Sequence, residues 1–527
     1  MKPTKLLLFC LVLISMAAQA QRLTQREMEN RTSRVKIYAP TDPMLRTKLI
    51  GLLGLDHFIP GEGGTIETEI GADDIRKLRL SGYRFDVLIE DVHDHLTALN
   101  EQYARDVAAG RVAFEQPGNT ITNIIAQPST FTVNASVFGG YYSYDTMVAH
   151  MTRAAANTSF VQMVSIGTSH EGRAIWCMKI SDNISGGDDA TEPDCLFIGL
   201  QHAREAITGA SMIFFMEYLV EQYNLNNPRI RELVNNREIY IVPCFNPDGW
   251  EYNRLNGGVG TDQRKNRRNI GSDGGASQKG VDLNRNWGVD WSNCGQLPFT
   301  DPISGDPNSC GSGDPDMVTY WGTSAFSEPE TNALRNFVKS KNFVVAFDQH
   351  AYGPYYSLPF GRRGVGHTMT QKQTDFYKAI PALMGKYNGM RANDSYGALH
   401  YEVAGGFKDW MLLGEIGSLN KDTIMGMTGE GAAGGGTSGN NFWAPASQIV
   451  YLSKGMTFQN LQLALSAGSY VDIQDMNDSI TVKNGNLNFR LKRLGLGNGP
   501  INISLIPLRN IKTGGTITSI TIPNYYG

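Results

Sequence analysis

The chain has 527 residues, enough for about two to four domains at roughly 150 residues each. With 47 Lys+Arg against 51 Asp+Glu the formal net charge is −4, so no basic excess points to nucleic acid or an anionic membrane surface. Hydrophobic residues make up 41% and charged residues 19%, which excludes a mostly disordered chain, and 58 glycines favour many turns and loops.

The first twenty residues read as an export signal (1–20). Lys2 and Lys5 supply the positive start, 6–14 is an unbroken apolar run, and Ala18-Gln19-Ala20 offers a small-x-small cleavage pattern before Gln21. The apolar run is too short to anchor in a bilayer, and no later stretch has the length of a transmembrane helix. The expected location is therefore secreted or extracellular, meaning the periplasm or cell surface if the source is bacterial, with no membrane span. Cys10 leaves with the signal, and Cys177, Cys195, Cys244, Cys294 and Cys310 remain. Cys294 and Cys310 bracket a Gly/Pro/Ser/Asn-rich loop and are the preferred disulfide. Cys177 and Cys195, in two strand-like runs, are a second candidate pair, while Cys244 sits in a buried-looking strand as a small hydrophobe. No C-x-x-C spacing exists, which argues against a cysteine-based metal site.

Residues 21–90 alternate strand patterns (34–39, 65–70, 83–89) with helical ones (44–53, 73–80), which suggests a ferredoxin-like α+β unit. A polar connector follows over 91–125, with Arg105 and Arg111 in a stretch that a protease could cut. From 126 to 468, apolar strand runs (194–200, 238–245, 343–349) alternate with amphipathic helices (212–223, 328–339). That pattern predicts a three-layer α/β/α domain on a mixed, largely parallel sheet, with its site beyond the carboxyl ends of the strands. Residues 469–527 alternate over 479–482, 487–491, 501–505 and 516–522, which predicts a small all-β module.

The chemistry gathers at His202-Ala203-Arg204-Glu205, directly after the apolar run 195–200, and at His350, after the run 343–347. Two histidines and a carboxylate make the open three-ligand set that catalytic zinc uses. Downstream stand Asn246-Pro247-Asp248-Gly249, Gly280-Val281-Asp282-Leu283-Asn284-Arg285-Asn286-Trp287, Phe326-Ser327-Glu328-Pro329-Glu330-Thr331, His350-Ala351-Tyr352-Gly353 and Pro445-Ala446-Ser447-Gln448-Ile449. With these motifs in this order, roughly 130–466 resembles the secreted zinc metallocarboxypeptidases of the pancreatic carboxypeptidase A/B type. More loosely, 21–90 is similar to that family's activation propeptide, including its Ile89-Glu90-Asp91-Val92 end.

The resemblance implies one zinc ion per catalytic domain, held by His202, Glu205 and His350, with Asp282 holding a ligand histidine. It implies Arg264 as stabiliser of the oxyanion and Asn284 and Arg285 as the clamp on the substrate's terminal carboxylate. Tyr401 matches a tyrosine that closes over substrate, and Arg204 and Tyr352 match channel-lining positions. The general base is matched by Glu430 in Met427-Thr428-Gly429-Glu430, although this segment departs from the family in its glycines, and Glu415 is the competitor. Lys408 matches the base of the pocket for the departing side chain, where a buried lysine favours a C-terminal Glu or Asp. The implied function is a zinc-dependent exopeptidase made as a proenzyme. It would act as a monomer on peptide or protein C-termini and be activated by a protease cutting within 100–125. The competing readings are a cell-wall peptide carboxypeptidase and an inactive binding or adhesion protein on the same scaffold.

Overall fold

A computed structural model describes residues 32–111, 121–184, 191–270, 279–294, 310–415, 423–432, 442–476 and 488–497, apart from positions 54, 56, 57, 61 and 400. The export signal expected over 1–20 lies outside these residues. In the N-terminal unit, strands β1 (Thr32–Ile37), β2 (Ile59–Pro60), β3 (Ile66–Gly71) and β4 (Phe85–Ile89) form an antiparallel sheet in the order β2-β3-β1-β4. Helices Pro43–Leu53 and Ala72–Ser81 connect them and bury Leu49, Ile50, Leu53 and Leu78 against Val35, Ile37, Ile66 and Ile70. This is the expected ferredoxin-like arrangement. The two-residue β2 is too short to carry a periodicity.

The expected polar connector is instead largely helical, over Val92–Ala108. Asp91 caps it by accepting from Asp94 N at 3.1 Å. Val92, Leu96 and Asn100, spaced four apart, form its buried stripe. Val92 and Leu96 join the apolar cluster that holds Met147 and Phe214, and Asn100 Oδ1 accepts from Ala446 N at 2.8 Å. A sparse stripe among charged neighbours reads as exposed in sequence, yet it is enough to seat a helix on a prepared surface. Arg105 lies inside this helix, Arg111 just beyond it, and 112–120 fall outside the described residues.

The main sheet has eight strands: β5 (Val161–Thr168), β6 (Ala174–Ile180), β7 (Asp194–Ile198), β8 (Glu238–Val242), β9 (Phe343–Gly353), β10 (Tyr355–Leu358), β11 (Arg391–Asp394) and β12 (Met425–Ala432). Their order is β11-β10-β12-β9-β7-β8-β6-β5, and the central run β12-β9-β7-β8 is parallel throughout. Both faces are covered. Cys195 and Phe197 pack into the cluster formed with helices Ala206–Asn224 and Ala446–Ser466, while Leu196 and Ile198 pack towards Pro329–Lys339 and Phe407–Leu413. Burial on both sides explains why β7 reads as an unbroken apolar run.

Beyond this sheet, β13 (Val471–Asp475) and β14 (Phe489–Arg493) form an antiparallel pair. The further strands expected over 479–482, 501–505 and 516–522 lie outside the described residues. Cys294 and Cys310 form the preferred disulfide. Cys177 and Cys195 do not pair, because β8 lies between β6 and β7, and both thiols are free and buried, as is Cys244.

Candidate active site

Three neighbouring parallel strands deliver the site. After β7 the chain turns at Gly199 and Leu200, places His202 and Glu205, and starts helix Ala206–Asn224 at once. Thr208 fixes the turn, with Leu200 N donating to its Oγ1 at 2.8 Å and that hydroxyl donating to Glu205 O at 2.7 Å. His350 lies on β9, and the β12 register places Glu430 directly beside it.

The ligand atoms converge. His202 Nδ1 lies 2.7 Å from Glu205 Oε1, His350 Nδ1 lies 2.9 Å from Glu205 Oε2, and the two Nδ1 atoms are 2.9 Å apart. All three side chains are buried, and their donor atoms fall within 4.8 Å of one another. Each ring turns its other nitrogen to a carboxylate: His202 Nε2 to Asp282 Oδ1 at 3.1 Å, and His350 Nε2 to Asp348 Oδ2 at 2.6 Å. Two imidazoles directed inward by outer carboxylates, with one carboxylate between them, suit a zinc ion. Asp348 was not singled out in the sequence. The available signal was its position two residues before His350 on a strand, which places both on one face.

Asp282 holds more than His202. Its Oδ2 accepts from Arg264 Nε at 3.1 Å and Nη2 at 3.0 Å, leaving Arg264 Nη1 2.9 Å from His202 Nδ1. Burial alone would raise the Asp282 carboxyl, but Arg264, His202 and Arg285 together hold it well below the ordinary carboxylate range. Gly280 makes this approach feasible: its φ is +106°, and a Cβ there would stand 1.9 Å from Asn266 O.

One cavity joins His202 to the predicted substrate clamp. His202, Arg264, Asn284, Arg285, Tyr401, Lys408 and Glu430 line it, together with Ser357, Ser395 and Thr428. Asn284 Oδ1 accepts from Phe407 N at 2.9 Å, and Arg285 Nη1 donates to Asn284 O at 3.0 Å. Lys408 Nζ lies 3.3 Å from Asp409 Oδ1, whose other oxygen accepts from Gly361 N at 2.7 Å. Burial pulls the lysine below its ordinary value against the opposing pull of Asp409.

Glu430 sits inside a regular strand, so its glycines do not interrupt the segment. A Cβ at Gly429 would lie 2.4 Å from the Phe347 ring, which accounts for glycine there. Glu415 is elsewhere, tied to Arg335 Nε at 2.5 Å and Lys339 Nζ at 3.7 Å.

Arg204 and Tyr352 are outside that cavity's lining. Arg204 lies over the Phe442 ring at 4.0 Å and pairs with Asp262 at 2.6 Å. Tyr352 packs edge-on to Phe442, bonds Thr68 of the N-terminal unit and lies in the fields of Glu69 and Arg34.

Residues 147–457 match the family model described as zinc carboxypeptidase, peptidase M14. A zinc carboxypeptidase of Saccharothrix mutabilis subsp. capreolus is 32% identical over 219 residues, covering 41% of this chain and 44% of that protein. Carboxypeptidase O of Bos taurus is 28% identical over 256 residues, covering 48% and 61%. The chain thus spans about half the length of these curated relatives. In fold it is similar to the crystal structure of the carboxypeptidase A from Helicoverpa armigera, with a TM-score of 0.60 at 22% identity over 84% of this chain and 99% of that one. With its ligand set and sheet in place and more than half of its length matched, the chain belongs to the zinc carboxypeptidase family.

Proposed function

We propose that this chain is a zinc-dependent carboxypeptidase that releases the last residue of peptides and proteins, with a preference for an acidic terminal side chain. The observation that carries the reading is a cavity whose lining brings Glu430, Arg264, Asn284, Arg285 and Lys408 together with His202, one member of the buried His202–Glu205–His350 group. His202, Glu205 and His350 would hold a zinc ion, which would supply Lewis acidity for activating water and polarising the scissile carbonyl.

The protein's own groups do the rest. Asn284 and Arg285 hold the terminal carboxylate, a planar fork suiting its two oxygens. Tyr401 closes the cavity over the bound residue. Glu430 takes a proton from the attacking water and passes it to the leaving amine, while Arg264 donates to the oxygen that becomes negative. Lys408 faces the departing side chain. An ammonium has more donors than Asp409 accepts, so an incoming carboxylate completes its bonding.

The N-terminal unit acts as an inhibitory propeptide, its Thr68 bonded to Tyr352 and its Glu69 and Arg34 charges acting on that tyrosine. Cleavage after Arg111, which stands outside the helix, releases it. The protein is exported, and none of the described helices is long and apolar enough to cross a membrane.

The test is peptide-library digestion with and without a chelator, before and after limited trypsin treatment. Chelator-sensitive loss of single C-terminal residues, Glu and Asp foremost and faster after trypsin, is expected. Glu430→Gln should retain zinc but lose turnover. Near-normal turnover in that variant would remove Glu430 from the base role, and absence of any hydrolysis would favour an inactive binding protein.

A further inference from the structure

Strand β12 carries Glu430 between two glycines, Gly429 and Gly431, so its neighbours offer no side chain on the opposite face of the sheet. The adjacent strand fills that face. β9 pairs His350 with Glu430 and Gln349 with Gly429, and the Gln349 side chain reaches Gln459 on the helix Ala446–Ser466. Gln349 Nε2 donates to Gly429 O at 2.8 Å and to His350 O at 3.0 Å. One carboxamide thus joins the peptide bond before Glu430 to the one after His350. A Cβ at Gly431 would stand 2.9 Å from the same Nε2, so glycine keeps the amide's place open.

The amide is itself held. Gln349 Oε1 accepts from Gln459 Nε2, and Gln459 Oε1 accepts from Tyr356 Oη at 2.9 Å and from Asn388 Nδ2 at 3.0 Å. Two carbonyl oxygens can be met only by a donor, so Gly429 and His350 fix which way Gln349 turns, and Gln349 in turn fixes Gln459. Gln349, Gln459 and Tyr356 are fully buried, where each broken bond would leave an unsatisfied polar group. An apolar side chain could fill the same space, but only an oriented amide ties both strands by direction as well as by volume.

We infer that Gln349, backed by Gln459, is a positioning residue that sets Glu430 against the strand carrying His350. This rests on the reading of Glu430 as the general base. A base must lie within hydrogen-bond reach of the proton it takes, and a backbone flanked by glycines has the most freedom to drift from that place. The amide brace removes this freedom from the face that the substrate does not occupy.

The test compares kcat, KM, zinc content and Tm of the full chain, after limited trypsin treatment, with those of four variants. Gln349→Met keeps the length of the side chain but loses both donor bonds. Its kcat should fall about 10–100-fold, with KM and zinc content as in the parent. Gln459→Met, which loosens the brace from behind, should lose kcat in the same sense but by less, and it carries the test if Gln349→Met does not fold. Leu233→Ala removes buried packing in the helix Pro228–Val234, outside the brace, and should lower Tm while leaving kcat unchanged. Parent kcat in both glutamine variants overturns the inference. So does a defect confined to Tm or zinc content, or an equal loss of kcat in Leu233→Ala. Glu430→Gln reports separately on the underlying reading: near-parent turnover there would overturn the base assignment itself, whatever the glutamine variants do.

Discussion

Lys408 and Asp348 show how much rests on single buried charges. Lys408 is enclosed beside Asp409 in a cavity lined by hydroxyls. Replacing it by leucine removes the ammonium and leaves apolar bulk, so Lys408→Leu should invert the ratio of kcat/KM for terminal Glu over terminal Leu. Matched peptides differing only in the last residue measure this. Asp348 acts through His350, whose Nε2 it holds at 2.6 Å. Burial lifts the Asp348 carboxyl above its ordinary range against the attraction of His350. Asp348→Asn should therefore weaken zinc binding about 10–100-fold, read by competition with a chromogenic chelator. A loss of activity at full zinc occupancy would place the residue's role elsewhere.

At the scale of elements, β12 and the helix Val92–Ala108 were the two segments that sequence patterns described least well. The His202–Glu205–His350 group was legible because His202-Ala203-Arg204-Glu205 and His350 each follow an apolar run, the mark of a buried parallel strand. Glu430 was harder, because Gly429 breaks every propensity rule for a strand. Its reason is tertiary: the Phe347 ring occupies the place of a side chain. Gly429→Ala should cost about 1–3 kcal/mol through overpacking, seen as a lower Tm with the ligand set intact. The helix was misread for the opposite reason, since its buried stripe is too thin to stand out until the surface it meets is known.

For the whole molecule, buried ionisable groups away from the ligands tie stability to pH. Lys265 donates to Pro315 O at 3.0 Å and Met317 O at 2.8 Å, and burial pushes its ammonium down from 10.5 to about 7. A depressed folded value means a contribution fully present above 10.5 and lost as pH falls towards about 7. The chain should therefore gain Tm from pH 7 to pH 10 by more than the Lys265→Met variant does. Parallel curves for the two proteins would show that the lysine stays charged throughout. Glu330 works in the other direction. Burial raises its carboxyl from 4.5 to about 7, so its contribution is present below 4.5 and lost as pH rises through about 7.

The neighbouring parallel strands β9 and β12 carry a further consequence. Parallel neighbours cannot be joined by a tight turn, so a long excursion must connect them. Here that excursion contains Ser357, Ser395, Leu399, Tyr401, Val403, Gly406 and Lys408, much of the lining of the cavity shared with His202 and Glu430. His350 and Glu430 stand at its two ends. Under the proposed function, selectivity would be encoded in one contiguous cassette spliced between His350 and Glu430. Exchanging that stretch between relatives would be a route to new terminal preferences without rebuilding the reaction centre.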